Sequence, residues 1–196
     1  MTQRPMHIET KLIHAGEPDP RIEGAVTLPI FQSSTFQYAG QDHYDKLKYI
    51  RMNNTPNHVA LHQKLAALEN ADAALVTASG MAAITTTFLA LLSPGDHFLV
   101  QDCLYGGTLD FINSDFKTLG MSFDFVNGNE PDTWAKQLKP NTRVIYVETI
   151  TNPLMGVADL KAVVAFARNH GLISMIDNTF ATPINFRPAE WGFDLS

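Results

Sequence analysis

From residue 74 onward the chain alternates two hydrophobic rhythms. Short, nearly all-apolar runs read as buried strands: "ALVT" (74–77), "HFLV" (97–100), "MSFDFV" (121–126), "RVIYV" (143–147) and "LISMI" (172–176). Between them lie stretches with helical spacing: "MAAITTTFLALL" (81–92), "TLDFINSDFKTL" (108–119), "DTWAKQL" (132–138) and "LKAVVAFARNH" (160–170). "SPGD" stops the first of these, and Gly120 and Gly171 close two others. An earlier helix is predicted through "NHVALHQKLAALENA", with Thr55 as its cap, Pro56 in first position, and Val59, Leu61, Leu65 and Leu68 as a rough apolar face. Strand-helix alternation of this kind predicts an α/β fold with a mostly parallel sheet and helices on both faces.

Residues 1–56 fit neither rhythm. "PDPRIEG" and "TLPIFQSSTF" are rich in turn formers and read as an extended arm lying on its own domain or on a neighbouring subunit. The expected organisation is an arm over 1–56 and a large domain over 57–196. Phe193 to Ser196 reads as the start of one more strand, so the domain is expected to be incomplete at its carboxyl end. There is no low-complexity segment and no solenoid repeat.

Charge and composition mostly exclude. A formal net charge of -6 over 196 residues supplies no basic field for nucleic acid or an anionic membrane. Cys103 is the only cysteine, which excludes an intrachain disulfide and a multi-cysteine metal site. The seven histidines show no metal-ligand spacing, and His58 and His62, four apart, read as a solvated helix face. The first twenty residues contain no apolar core of a secretory signal, and the apolar stretch 82–92 is too short to span a bilayer. A cytoplasmic protein is expected.

In an open parallel sheet, ligands bind beyond the carboxyl ends of the strands. Chemistry is therefore expected in the segment after each strand. "ASGM" comes after 74–77, "QDCLYGGT" after 97–100, "ETITNP" after 143–147 and "DNTFATP" after 172–176. Ser79-Gly80-Met81 enters a helix whose unpaired N–H groups suit an anion, and equally reads as a plain cap. Tyr105, next to Gly106 and Gly107, reads as a ring with one face open to a flat ligand, or as a packed tyrosine on a glycine turn. Asn152-Pro153 is also a common turn initiator. Asp177 ends an apolar run on a carboxylate. A cationic ring nitrogen would pair it, and an Asx-turn at "DNT" would also account for it. Neither GxGxxG nor GxxxxGK[ST] is present.

Taken together, "KLIHAGEPDP", "GAVTLPIFQSSTF", "YIR", "ASGMAAI", "LYGGT", "ETITNP" and "DNTFATP" resemble, in order and spacing, the N-terminal half of the Cys/Met-metabolism family of pyridoxal 5'-phosphate (PLP) enzymes. That family includes cystathionine γ-synthase, cystathionine γ- and β-lyases, methionine γ-lyase and O-acylhomoserine sulfhydrylases. The resemblance implies an aspartate-aminotransferase-like (type I) large domain. It also implies that Asp177 pairs the pyridine nitrogen, Tyr105 stacks on the ring, the N–H groups of Gly80 and Met81 hold the phosphate, Asn152 bonds near the ring 3-oxygen, and Thr179 completes the cofactor site. Tyr49 and Arg51 would reach the phosphate of a neighbouring subunit in a homo-oligomer, a dimer of dimers. Tyr105 and Tyr49 are the implied catalytic side chains, and no metal is implied.

The chain departs from the family pattern in places. The loop after Arg51 reads "MNNTPN". Gly107 stands where methionine γ-lyases carry cysteine, which ranks that activity lower. Asp110 stands near where some cystathionine γ-lyases carry a basic residue. The family's cofactor-holding lysine comes after a "HSxTK" element, and none of the eight lysines here sits in such a motif. That lysine and the arginine for the substrate carboxylate are expected beyond "EWGFDLS". The implied function is C–S cleavage of cystathionine. The alternatives are γ-replacement (cystathionine γ-synthase or O-acylhomoserine sulfhydrylase) and a non-catalytic PLP-binding or assembly fragment.

Overall fold

Regular structure begins earlier than the weak periodicity of the arm predicts. In the computed structural model, which describes residues 6–196, helix α1 spans Ile8–His14. Glu9 in its first turn and Lys11 and His14 in its last complement the helix dipole. Helix α2 spans Pro56–Glu69 with Pro56 in first position, as predicted. Thr55 occupies the cap position, but its hydroxyl pairs with His58 Nδ1 at 2.8 Å and not with a backbone N–H. A nearby imidazole has displaced the usual capping bond. The expected apolar face is also only partly formed: Leu68 is buried, whereas Val59 and Leu61 are exposed. Lysines tie the two helices. Lys11 Nζ donates to the carbonyl of Ala67 at 3.0 Å, and Lys64 Nζ to that of Ile13 at 2.9 Å, one of the carbonyls that the end of α1 leaves unpaired. The rest of the segment up to residue 54 is irregular, with one antiparallel bridge between Thr35 and Tyr49. Positions 1–5 of the expected arm lie outside the described residues.

The chain divides into two compact units, one ending at Val76 and one running from Thr77 to Ser196. In the second, helix α3 (Gly80–Leu91) is capped by Ser79, whose Oγ accepts from Ala82 N at 3.0 Å. Its threonines satisfy their hydroxyls internally; Thr87 Oγ1, for example, donates to the Ala83 carbonyl at 2.7 Å. Next in order are strand β1 (His97–Gln101), helix α4 (Gly106–Phe111, continuing through a π turn at Ile112–Phe116), strand β2 (Ser122–Val126), the single-turn helix α5 (Pro131–Trp134), strand β3 (Thr142–Glu148), helix α6 (Leu160–His170) and strand β4 (Ile173–Asp177). Two further single-turn helices, α7 (Thr182–Asn185) and α8 (Pro188–Trp191), have no counterpart in the sequence reading. All four strands are parallel, in the order β2-β1-β3-β4. This is the predicted α/β architecture.

Both faces of the sheet are covered, which is why its strands are apolar on both sides. On one face Phe98, Val100, Val144, Tyr146 and Met175 pack against Ile84 and Phe88 of α3 and against Ile112 and Phe116. On the other, Leu99, Ile145, Val147 and Ile176 meet Val163, Val164 and Ala167 of α6. Helix α6 has the predicted bounds, with Asp159 capping Ala162 N at 3.0 Å and Gly171 in the left-handed conformation, φ 65°. The predicted strand at 74–77 does not form: it pairs with no strand among the described residues, and Leu75 is exposed. An apolar run becomes a strand only where a ladder accepts it. At the other end, where an extra strand is expected, there is one isolated bridge. Leu195 bridges Met175 in parallel, with Ile176 N donating to the Leu195 carbonyl at 3.0 Å.

A polar network closes the amino-terminal edge of the sheet. His97, fully buried, lies 2.8 Å from Thr142 Oγ1 through Nδ1 and 3.1 Å from Asp124 Oδ2 through Nε2, and Lys139 Nζ meets the same oxygen at 2.6 Å.

Candidate functional site

The connections leaving β1 and β3 run in opposite directions, since β1 leads to β2 on one side and β3 to β4 on the other. This is the switch point at which an open parallel sheet leaves a crevice. A cavity of about 420 Å³ lies there, at the carboxyl ends of the strands. All four loops singled out in the sequence contribute to it: Ser79, Gly80 and Met81 from the first, Tyr105 from the second, Glu148, Ile150 and Asn152 from the third, and Asp177, Thr179 and Phe180 from the fourth.

At the α3 end, the N–H groups of Gly80 and Met81 have no hydrogen-bond partner among the described residues, because Ser79 takes only Ala82 N through its side chain and Ala83 N through its carbonyl. The space beside the Gly80 Cα is open, with nothing within 4 Å of where a Cβ would stand. Ser79 therefore caps the helix, as one sequence reading has it, and two backbone donors stay unpaired beside it among the described residues.

Asp177 forms the Asx-turn of its turn reading. Its Oδ1 accepts from Thr179 N at 2.9 Å and from Thr179 Oγ1 at 2.5 Å, which is the Asx-turn. Its Oδ2 has no hydrogen-bond partner among the described residues, and the side chain lines the cavity. Thr179 thus orients the carboxylate.

Tyr105 lines the same cavity with its ring about half exposed. Gly107 is required by that ring: a Cβ there would stand 2.8 Å from Tyr105 Cε1 and 3.3 Å from Met81 Sδ. The glycine thus leaves room for the Tyr105 ring and the Met81 sulfur.

Glu148 carries a role that the sequence reading missed. It is only 4% exposed, and both of its oxygens are engaged: Oε1 accepts from Tyr105 N at 2.7 Å and Oε2 from Asn152 N at 3.2 Å. It stands beside Asp177 in the β3–β4 register. Burial pushes its carboxyl above the usual range, against the two N–H donors, and the neighbouring Asp177 charge pushes it further. Beneath both lies Tyr146, whose phenol is held well above its usual value by burial and then by the charges of Asp177 and Glu148. The available signal was a second apolar strand ending on a carboxylate, as β4 does.

Tyr49 and Arg51 belong to the unit ending at Val76, and the cavity lining comes from the other unit. The Arg51 guanidinium lies 4.7 Å from the centroid of the Tyr49 ring and makes no ion pair among the described residues. The pair His58 and His62 is not the solvated face expected: both are half-buried, and the Nε2 of His62 is enclosed without a partner among the described residues. Burial, then His58, lowers the His62 pKa. No group of three or more metal-ligating side chains occurs among the described residues.

The model of the family described as "Cys/Met metabolism PLP-dependent enzyme" matches residues 9–196. The chain belongs to this family. A "Probable cystathionine gamma-synthase" from Herpetosiphon aurantiacus is 42% identical over 186 residues, covering 95% of this chain and 58% of its own length. The cystathionine beta-lyase MetC of Bacillus subtilis is 40% identical over 195 residues, covering 100% of this chain and 50% of its own length. The crystal structure of a cystathionine gamma-lyase from Lactobacillus plantarum, complexed with L-serine, superposes with a TM-score of 0.89 at 37% identity, over 97% of this chain and 49% of that one. The chain therefore spans about half the length of the relatives it matches. The chain shares its α/β fold with this PLP-dependent family's solved structures. No helix among the described residues is long and apolar enough to cross a membrane.

Proposed function

We propose that the cavity is a pyridoxal 5'-phosphate site and that the protein is a transsulfuration enzyme cleaving the C–S bond of cystathionine. The observation carrying this reading is the coincidence, in one crevice, of three groups with unused capacity: the free N–H pair of Gly80 and Met81, the open face of Tyr105, and the Asp177 oxygen without a partner. They match the three parts of the cofactor: a phosphate dianion, a flat ring and a basic ring nitrogen. When bound, the cofactor supplies an electron sink for a carbanion at the amino-acid α-carbon.

The chain's own residues have distinct tasks in this reading. Gly80 and Met81 anchor the phosphate, with Gly80 allowing close approach. Asp177, oriented by Thr179, keeps a proton on the ring nitrogen. Tyr105 stacks on the ring, and Asn152 bonds near the 3-oxygen. Apolar Met81, Ile84, Ile150 and Phe180 exclude water, which strengthens the ion pair at Asp177. Residues 1–56 act as an arm, placing Tyr49 and Arg51 at the site of a neighbouring copy in a homo-oligomer. Exposed Val26, Ile30, Tyr38 and Tyr44 on that segment support a covering surface. A cytoplasmic location fits the single cysteine.

γ-Replacement is the second reading, and the higher identity to the relative named a cystathionine gamma-synthase favours it. The complete gene product carrying these residues should be loaded with pyridoxal phosphate and assayed on cystathionine, methionine, and an O-acylhomoserine with a thiol. Cystathionine is expected to be cleaved fastest; faster replacement selects the second reading, and methionine turnover above cystathionine overturns both. No lysine lines the cavity, so borohydride reduction of the loaded protein is expected to label none of the eight lysines in residues 1–196. A stoichiometric label within those residues refutes that assignment.

A further inference from the structure

The geometry points to Glu148 as a positioning residue that clamps the two loops flanking the cavity across the β1–β3 switch point. This rests on the reading of the cavity as a cofactor site. Glu148 ends β3, and its carboxylate accepts one backbone N–H from each loop, Tyr105 from the loop after β1 and Asn152 from the loop after β3. Those residues are the proposed ring-stacking and ring-oxygen contacts. The clamp is itself braced. The backbone N–H of Glu148 donates to Gln101 Oε1 at 3.0 Å, and Gln101 is also only 4% exposed. Gly128 leaves room for that glutamine, since a Cβ there would stand 3.0 Å from its Nε2. A chain of buried polar contacts thus runs from the end of β1 through Glu148 to both loops.

The residue type is dictated by the donors. Each N–H meets a different oxygen of the side chain, so the arrangement uses two acceptor atoms, which an ionised carboxylate supplies. Glutamine offers one acceptor and one donor, so its amide NH₂ would face an N–H at either Tyr105 or Asn152. Aspartate keeps the charge but is one methylene shorter and cannot reach both loops. Burying a carboxylate beside a second one is costly, as the raised pKa of Glu148 records, and it persists because the two donors are otherwise orphaned. A residue serving only the core at this position would be apolar, as its strand neighbours Tyr146 and Val147 largely are.

Glu148→Gln and Glu148→Asp in the complete gene product test the assignment. Three quantities are read: the dissociation constant for pyridoxal phosphate, the induced visible circular dichroism of the bound cofactor, and the melting temperature without cofactor. Losing one charged hydrogen bond at a loop that touches the ring predicts a dissociation constant raised roughly tenfold to a hundredfold. It also predicts a weakened induced band, because Tyr105 no longer holds the ring in one orientation. Glu148→Asp serves where Glu148→Gln does not fold. A folded variant with wild-type affinity and wild-type induced band, even with a lowered melting temperature, overturns the clamp and leaves the cofactor reading standing. A wild-type protein that binds no pyridoxal phosphate overturns both.

Discussion

Asp177→Asn separates the two roles that Asp177 fills. Asparagine retains Oδ1, so the turn bonds from Thr179 N and Thr179 Oγ1, at 2.9 and 2.5 Å, survive. What disappears is the charge on the side without a hydrogen-bond partner among the described residues. If that side pairs a protonated ring nitrogen in a water-poor crevice, its loss costs about 2–5 kcal/mol. That is on the order of 30- to 5,000-fold in the dissociation constant of pyridoxal phosphate. The melting temperature without cofactor should stay the same or rise, since the variant also removes the repulsion between Asp177 and buried Glu148. Equilibrium titration with the cofactor, monitored by visible absorbance, gives the affinity, and a thermal melt gives the stability. Asp177→Ala, which removes both the turn acceptor and the charge, should lower both. Asp177→Glu, which keeps the charge, should bind better than either. Wild-type affinity in Asp177→Asn would refute the ring-nitrogen pairing and leave Asp177 as a turn residue.

Gly107→Ala is expected to weaken cofactor binding while leaving α4 at least as stable. The new methyl would stand 2.8 Å from the Tyr105 ring, yet alanine gains about 0.5–1 kcal/mol over glycine in a helix; unchanged affinity would mean that the ring orientation is immaterial. Acid should destabilise the second unit in two steps. Burial, then Lys139, holds His97 below its ordinary value, so its unfolded form takes up a proton first and stability falls as pH drops below about 6.5. Asp124 is also lowered, chiefly by its bond to Lys139, so its contribution is present above its ordinary value and is lost as pH falls through the lowered one. Melting temperatures across this range should show the first step in the wild type and lose it in His97→Asn; a first step unchanged in that variant would assign it elsewhere. Mixing Arg51→Ala with Asp177→Ala, each expected to lose most of its activity alone, should restore part of the activity through hybrid oligomers. Refolded mixtures as inactive as their parents would rule out a site shared between copies.

The sheet was legible because burial on both faces leaves its strands little freedom of composition. "HFLV", "RVIYV" and "LISMI" each became a strand within a residue of the expected bounds, and Gly171 closes α6 where the sequence places it. Partner-dependent features were not legible. The run 74–77 has the composition of a strand without a ladder to join, and Thr55 found an imidazole three residues away in place of a backbone N–H. Helices α7 and α8, four residues each, are too short to express a period. At the cavity, loop membership could be read because every contributing loop leaves the carboxyl end of an apolar run. The division of labour could not, since which carboxylate faces outward and which binds two loops depends on where the donors converge.

The register that sets Glu148 beside Asp177 has a consequence for which pairings of the sheet can carry the crevice. Neither carboxylate has its surroundings unless β1, β3 and β4 are in parallel alignment, so the crevice depends on the correct ladder. A chain with a slipped ladder would present the wrong side chains at the rim. If the crevice holds pyridoxal phosphate as proposed, the cofactor would favour the correctly paired sheet over misaligned competitors by about RT ln(1 + [L]/Kd). Cofactor supply during synthesis should then govern how much native protein accumulates, independently of any turnover it supports.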